Sequence, residues 1–107
     1  MEAKKEENIL IKVLEALEAG NLVPTFHALE QMEAREITFS DVKEALYQGQ
    51  REEQKDDYRQ NPKTNKWSWR YSIRGLADDG NKDLRIVVAV EDPKTFVITV
   101  IDLNRKE

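Results

Sequence analysis

The sequence predicts an α+β domain in which two or three N-terminal helices pack on an antiparallel sheet of three or four strands. Two observations lead to this fold class. Apolar residues recur at helical spacing through the first half of the 107-residue chain, and they alternate with polar residues in the second half, where turn-forming residues separate the alternating runs. We place the helices at about 4–49 and the sheet at about 51–103 of a single domain spanning 1–107.

The first helix is predicted from Lys4 to Ala19. Ile9, Val13 and Leu17 fall on one line of this helix, so it presents an apolar stripe that can pack on a sheet or on other helices. Gly20 ends the helix, because glycine readily adopts the left-handed conformation that closes a last turn.

Two short helices follow between Phe26 and Leu46, each with one apolar face that we expect to be buried. In the first of them the apolar positions are Phe26, Leu29 and Met32. In the next they are Phe39, Val42, Ala45 and Leu46. Thr38, with Asp41 three residues later, predicts a capping box at the start of this last helix, and Gly49 suits a left-handed exit from it.

The sheet is predicted from alternation and from turn residues. Residues 51–59 are polar and fit an edge strand, and Asn61–Asn65 is a turn by composition. Trp67–Ile73 alternates strictly, as expected for a half-buried antiparallel strand. The apolar run Leu84–Val90 fits a central strand, and Phe96–Leu103 closes the sheet.

Composition limits the class of protein. The chain has no cysteine and one histidine, so it offers no disulfide and no usual zinc or iron ligand set, and we expect neither a metal nor another cofactor. No apolar run approaches a membrane span, and the first residues are too acidic for a signal peptide. We therefore expect a cytoplasmic protein with no membrane partner. Its net charge of −4 argues against general nucleic-acid binding.

The second predicted helix carries a row of hydrogen-bonding side chains. His27, Gln31 and Arg35 are spaced four residues apart, so they lie along one flank over about 12 Å. A single histidine near two such residues can mark a catalytic or binding site. The alternative is that Gln31 and Arg35 are ordinary solvated residues and that His27 bonds a nearby backbone group.

A second candidate feature is the window from Tyr58 to Leu76, which contains no acidic residue. Its basic residues are Arg59, Lys63, Lys66, Arg70 and Arg74. Phosphate binding needs such charges, and single-stranded RNA recognition often adds aromatic faces. Strand alternation, however, assigns Trp67, Trp69 and Tyr71 to the face opposite Arg70 and Arg74. The alternative is therefore a core of aromatic residues with a basic face that is solvated or covered by a partner.

These residues carry a family resemblance. His27-Ala28, Met32, Arg35, Ile37-Thr38 and the following Asp41-Val42 resemble the HA-x-x-R-M-x-x-R-x-I-[ST] signature of the domain-of-unknown-function 4258 family. The resemblance extends to residues 97–100 and so spans most of 25–102. It implies a fold similar to the RelE/ParE-like toxins of bacterial toxin–antitoxin systems, and an antitoxin partner of the YgiT-type zinc-finger kind. One departure is Gln31, where the family usually has arginine.

The resemblance implies a toxin-like, metal-independent endoribonuclease acting on mRNA. Such cleavage needs a base for the 2′-hydroxyl proton, cations for the charged phosphate and an acid for the leaving oxygen. The predicted catalytic residues are His27, Arg35, Arg70, Arg74 and, if it is exposed, Tyr71. The predicted substrate-binding residues are Gln31, Lys63 and Lys66. An antitoxin would cover the basic strand face.

Two other functions remain open from the sequence. The first is a non-catalytic interaction module that keeps the fold without nuclease activity, which the departure at Gln31 and the acidic balance favour. It predicts a stable partner complex and harmless overexpression. The second is a homodimer formed through an exposed edge strand at residues 51–59.

Overall fold

The computed structural model describes residues 5–62, 64–91 and 93–104. Within these ranges it has three α-helices, six strands and one short 3-10 helix. In chain order they are α1 (Ile9–Ala19), β1 (Leu22–Pro24), α2 (Phe26–Ala34), α3 (Phe39–Tyr47), β2 (Gln50–Arg51), the 3-10 helix (Glu53–Lys55), β3 (Asp57–Gln60), β4 (Trp67–Ala77), β5 (Lys82–Glu91) and β6 (Lys94–Asp102). The predicted α+β class is confirmed. No helix within these ranges is long and apolar enough to cross a membrane.

The prediction of a purely antiparallel sheet with three or four strands is wrong. The strand order is β1-β6-β5-β4-β2, with β3 also paired to β4. Strand β1 lies between α1 and α2 and pairs with β6 in parallel, so the helices do not form one N-terminal block. The predicted edge strand at residues 51–59 is divided between the end of β2, the 3-10 helix and β3. The two strands that were not predicted, β1 and β2, have three and two residues, which is too short for alternation to reveal them.

Local sequence signals explain how α2 and α3 begin. Thr38 and Asp41 form the predicted capping box, in which each side chain accepts a hydrogen bond from the other residue's backbone N–H, at 3.1 and 3.0 Å. The Thr25 hydroxyl accepts from the backbone N–H of Ala28 at the start of α2. Each such cap stabilises a helix by about 1 kcal/mol.

The core lies between one face of the sheet and the pair α1 and α3. Its largest fully buried side chains are Ile9, Val13, Val42, Leu46, Ile73, Leu84, Ile86, Val88, Val97 and Val100. Helix α3 comes very close to β4 at Gly75, where a Cβ would stand 1.9 Å from the carbonyl oxygen of Ala45. Gly49 is also a close-packing position: it has no positive φ, so the predicted left-handed exit is wrong.

Of the three apolar residues predicted to be buried on α2, only Met32 is buried. Phe26 is 83% exposed and Leu29 is 48% exposed, whereas Ala28 and Met32 are buried. The reason is the position of α2, which packs mainly on the edge formed by β1 and β6. A helix at an edge buries a narrow strip, and here that strip is the pair Ala28 and Met32.

The opposite face of the sheet is not covered by a helix within the described residues. We call it the open face, and it alternates with the core residues along the three long strands. It consists of Ser68, Arg70, Ser72, Arg74 and Leu76 on β4, Asp83, Arg85, Val87, Ala89 and Glu91 on β5, and Lys94, Phe96, Ile98, Thr99 and Ile101 on β6. Arg70 and Arg74 therefore do lie opposite the core-facing Tyr71, as the alternation predicted.

Candidate functional site

Two side chains of the predicted row on α2 form hydrogen bonds with the edge of β6. Strand β1 pairs with β6 only at residues 95–97, so the following backbone groups need other partners. Gln31 Oε1 accepts from the backbone N–H of Val100 at 2.9 Å, and Arg35 Nη1 donates to the carbonyl oxygen of Val100 at 3.0 Å. The Thr25 hydroxyl donates to the carbonyl oxygen of Ile98. These side chains thus replace a neighbouring strand.

This arrangement gives a structural reason for glutamine, rather than arginine, at position 31. The Val100 N–H needs an acceptor, and an arginine at this position has only donors. His27, in contrast, is exposed on the first turn of α2 and bonds no other described residue. Of the three residues in the predicted row, two are therefore engaged by the sheet edge and one faces solvent.

Tyr71 is buried in the core. It is 3% exposed, and its hydroxyl accepts from the backbone N–H of Glu6 at 2.7 Å. Burial raises the pKa of this phenol above its ordinary value. The exposure that a general acid would need is absent at this position, and the hydroxyl lies on the side of the sheet away from Arg70 and Arg74.

Arg70 lines a small cleft on the open face. The cleft has a volume of about 210 Å³ and is lined by Thr25, Asn61, Ser68, Arg70, Ala89, Glu91, Phe96 and Ile98. Arg70 is half-buried and forms no ion pair with another described residue. We call this the Arg70 cleft, and it combines one cation with an apolar wall from β5 and β6.

A larger cleft opens near β2, and we call it the Glu52 cleft. Its volume is about 580 Å³, and it is lined by Gln48, Gln50, Arg51, Glu52, Gln54, Arg74, Gly75, Leu76 and Asp83. Arg74 binds Asp83 through two hydrogen bonds of 3.0 and 2.6 Å. Arg85 binds Glu52 in the same two-pronged way, at 2.7 and 3.1 Å, and the Ser72 hydroxyl donates to Glu52 at 3.1 Å.

The carboxylates of this cleft neutralise two neighbouring arginines. Arg74 and Arg85 stand directly opposite each other on β4 and β5, where like charges repel. The hydrogen bond from Arg85 lowers the pKa of Glu52, and the hydrogen bond from Arg74 lowers the pKa of Asp83. Sequence reasoning missed Glu52, Asp83 and Arg85. The alternation of β5 was the available signal, since it places Asp83 and Arg85 on the face of Arg74.

The predicted site residues do not share one cavity. His27 and Arg35 lie on α2 at the β6 edge, whereas Arg74 lies on β4 with β5 and β6 between them. Two intervening strands correspond to a separation of about 10 Å or more. Lys66 is exposed just before β4, and Lys63 lies outside the described residues. Of the predicted residues, Arg70 and Arg74 share the open face but line separate clefts.

Most arginines on and beside the open face are paired with carboxylates. Arg59, Arg74 and Arg85 are paired with Asp57, Asp83 and Glu52 respectively. Arg70 and Glu91 line the same cleft without such a pairing. Arginines that are already paired attract phosphate weakly, because nucleic-acid affinity depends on positive charge that is not neutralised. In the described part of the chain, no group of three or more His, Cys, Asp or Glu side chains is placed to hold a metal ion.

The Glu52 pair makes stability depend on pH. A carboxyl with a lowered pKa in the folded chain stabilises the fold above its unfolded pKa, and this contribution is lost as the pH falls through the folded pKa. We therefore expect the free energy of unfolding to fall as the pH is lowered below about 5. Urea titrations across this range should show a smaller fall for Glu52→Gln. Glu53→Gln, at an exposed neighbouring position, should match the wild type, and identical curves for all three would contradict the assignment.

The comparison with known families gives one result. A family model described as Domain of unknown function (DUF4258) matches residues 25–102, from the N-cap of α2 to the last residue of β6. The match therefore includes α2, the long strands and the open face. No curated protein matches the chain, and no solved structure matches it.

Proposed function

The chain belongs to the DUF4258 family, and we propose that it is a non-catalytic interaction module of the RelE-like type, which binds an antitoxin protein on the open face of its sheet. The observation that carries this proposal is the open face itself. Its middle is apolar, with half-buried Val87, Phe96, Ile98 and Ile101, and no described helix covers it. An apolar surface of this kind on a small chain is typical of a protein–protein contact.

The charges beside this surface suit a protein partner better than RNA. A protein interface has an apolar centre and a polar rim, and it enriches arginine relative to lysine. Arg70 stands at the edge of the apolar residues, and the paired Arg74 and Arg85 lie farther along β4 and β5. Paired arginines can bind neutral polar groups of a protein without the excess of positive charge that RNA binding requires.

The α2 edge also supports a role without catalysis. Arg35 and Gln31 already bond the Val100 backbone, so neither is available to a phosphate without opening the edge of β6. The His27 side chain forms no hydrogen bond or ion pair with an acid or base among the described residues. The family resemblance supplies the class of partner, which is an antitoxin of the zinc-finger kind.

Val87→Glu tests this proposal. It places a charge in the apolar middle of the open face, and we expect it to weaken binding of a YgiT-type zinc-finger antitoxin by at least about 30-fold, as for a central contact residue. Calorimetric titration measures the loss. Ile101→Glu, on the neighbouring strand, should have the same effect if Val87→Glu folds poorly.

The matched control is Ile11→Glu. Ile11 is an exposed aliphatic residue on α1, away from the sheet, so this variant should bind as the wild type does. The proposal is wrong if Ile11→Glu loses binding while both folded open-face variants keep it.

The second candidate function is metal-independent RNA cleavage in the Glu52 cleft. The observation that favours it is an ionised carboxylate next to two guanidinium groups in an open cleft of about 580 Å³. Glu52 could take the 2′-hydroxyl proton, and Arg74 and Arg85 could stabilise the phosphate charge. Cleavage of single-stranded RNA that is lost in Glu52→Gln and kept in Glu53→Gln would favour this candidate. Intact RNA with the wild-type protein favours the interaction module.

A further inference from the structure

We propose that the carboxylate of Asp56 and the ring of Trp69 form a binding site for a lysine side chain of a partner protein, and that Lys5 of this chain occupies the site when no partner is bound. We call it the ammonium site. It lies beside β3 and β4 on the core side of the sheet, since Trp69 alternates with the open-face residues Ser68 and Arg70. It is therefore independent of the open face and of the function proposed above.

The geometry is that of a cation held between a carboxylate and an aromatic face. Lys5 Nζ lies 3.1 Å from Asp56 Oδ2 and 4.7 Å from the centroid of the Trp69 ring. Both contacts favour an ammonium group, one by direct charge and one through the negative face of the ring. The Asp56 side chain is only 1% exposed, while the Lys5 side chain is 33% exposed. The cation thus reaches the buried carboxylate from the solvent side.

Lys5 is not needed to neutralise Asp56. Arg51 Nη2 binds the same oxygen, Asp56 Oδ2, at 2.7 Å. The Arg51 guanidinium also donates to the carbonyl oxygen of Glu7 at 2.9 Å, in the segment that carries Lys5, and it lies 5.6 Å from the centroid of the Tyr71 ring. The buried carboxylate therefore keeps a charged partner when Lys5 leaves. Two cations therefore share one carboxylate oxygen. Lys5 is the more exposed of the two, so it is the one that another ammonium group can replace.

The second oxygen of Asp56 is an unused acceptor. Asp56 Oδ1 is buried and has no hydrogen-bond partner among the described residues, and the same is true of Arg51 Nε in the neighbouring guanidinium. Buried polar atoms without partners are rare in folded proteins. An ammonium group carries three donors, so a lysine that enters from another chain can reach Oδ1 as well as Oδ2. The reach of Lys5 is limited by its position in the chain, and of the two Asp56 oxygens its ammonium group contacts only Oδ2.

The segment that delivers Lys5 is held by few contacts. Residues 5–8 precede α1 and belong to no helix or strand. Their described backbone contacts with the sheet are the bond from the Glu6 N–H to the Tyr71 hydroxyl and the bond from Arg51 to Glu7. The Lys5 side chain is 33% exposed, so its ammonium group remains within reach of solvent. A partner's lysine can therefore compete for the site.

The test uses Trp69 as its own reporter. The chain has two tryptophans, so Trp67→Phe leaves Trp69 as the only one. In that background, Lys5→Ala is titrated with Nα-acetyl-lysine N-methylamide while Trp69 fluorescence is recorded. We expect a saturable change, and at least a fivefold higher half-saturation concentration when Lys5 is present. The norleucine analogue of the probe has the same stem without the charge and should give no saturable change.

A matched lysine variant completes the experiment. Lys55→Ala removes the exposed lysine next to Asp56 in sequence and should respond as the parent with Lys5 does. Lys5→Gln replaces Lys5→Ala if circular dichroism shows that the alanine variant is unfolded. The proposal is overturned if a folded Lys5 variant shows no saturable response, if the norleucine analogue gives the same response, or if the half-saturation is equal with and without Lys5.

Discussion

Asp56→Ala is expected to destabilise the chain by about 3 to 5 kcal/mol, the range typical of breaking a buried ion pair. The Asp56 side chain is almost fully buried, and the Arg51 side chain is only 18% exposed. Removing the carboxylate leaves the Arg51 guanidinium beside Tyr71 with no opposite charge. Urea unfolding followed by circular dichroism measures the loss.

Two comparison variants separate this effect from ordinary surface electrostatics. Asp57→Ala removes the partner of Arg59 in an exposed pair and should cost less than about 1 kcal/mol. Replacing both buried charges, as in the double variant Arg51→Met with Asp56→Leu, should recover most of the stability that Asp56→Ala loses. Equal losses for Asp56→Ala and Asp57→Ala would show that the Arg51 pair is not buried in solution.

Gly75→Ala is expected to destabilise the chain by about 3 kcal/mol, the upper part of the usual range for overpacking. A Cβ at this position would stand 1.9 Å from the Ala45 carbonyl oxygen and 2.7 Å from its carbonyl carbon. The clashing atoms are backbone atoms of α3, so no side chain can rotate away. The helix must shift from β4, and thermal unfolding should show a fall in Tm of about 12 °C or more.

Gly80→Ala is the matched control. Gly80 has a φ of +86° in the turn between β4 and β5, and nothing lies within 4 Å of its added Cβ. The cost there is backbone strain alone, about 1 kcal/mol. If Gly75→Ala loses no more stability than Gly80→Ala, then α3 does not approach β4 as closely as the structure indicates.

The parts of the fold that the sequence predicted are those with long local signals. Helix α1 carries apolar residues at helical spacing over three turns, and the Thr38–Asp41 capping box marks the start of α3. Strand β4 alternates apolar and polar residues from Trp67 to Arg74. Strands β1 and β2 were missed because they have three and two residues, and their existence depends on pairing with β6 and β4. Pairing between distant segments leaves no period in the sequence.

The candidate site also divides into features that local sequence signals predicted and features that depend on contacts between distant segments. Alternation along β4 correctly placed Arg70 and Arg74 opposite Tyr71, because side-chain direction is a local property of a strand. Helical spacing correctly placed Gln31 and Arg35 on one flank of α2. The spacing could not show that this flank faces the Val100 backbone, which is 69 residues away from Gln31 in the chain. Nor could it show that Glu52, just before the 3-10 helix, binds Arg85.

The most direct test of the open-face proposal is a methyl NMR titration of protein labelled at isoleucine, leucine and valine. The proposal predicts that the antitoxin shifts the methyl signals of Val87, Ile98 and Ile101, while those of Ile11 and Leu29 stay unchanged. It also predicts that a short single-stranded RNA shifts none of them. Open-face shifts caused by RNA, or antitoxin shifts confined to Ile11 and Leu29, would contradict it.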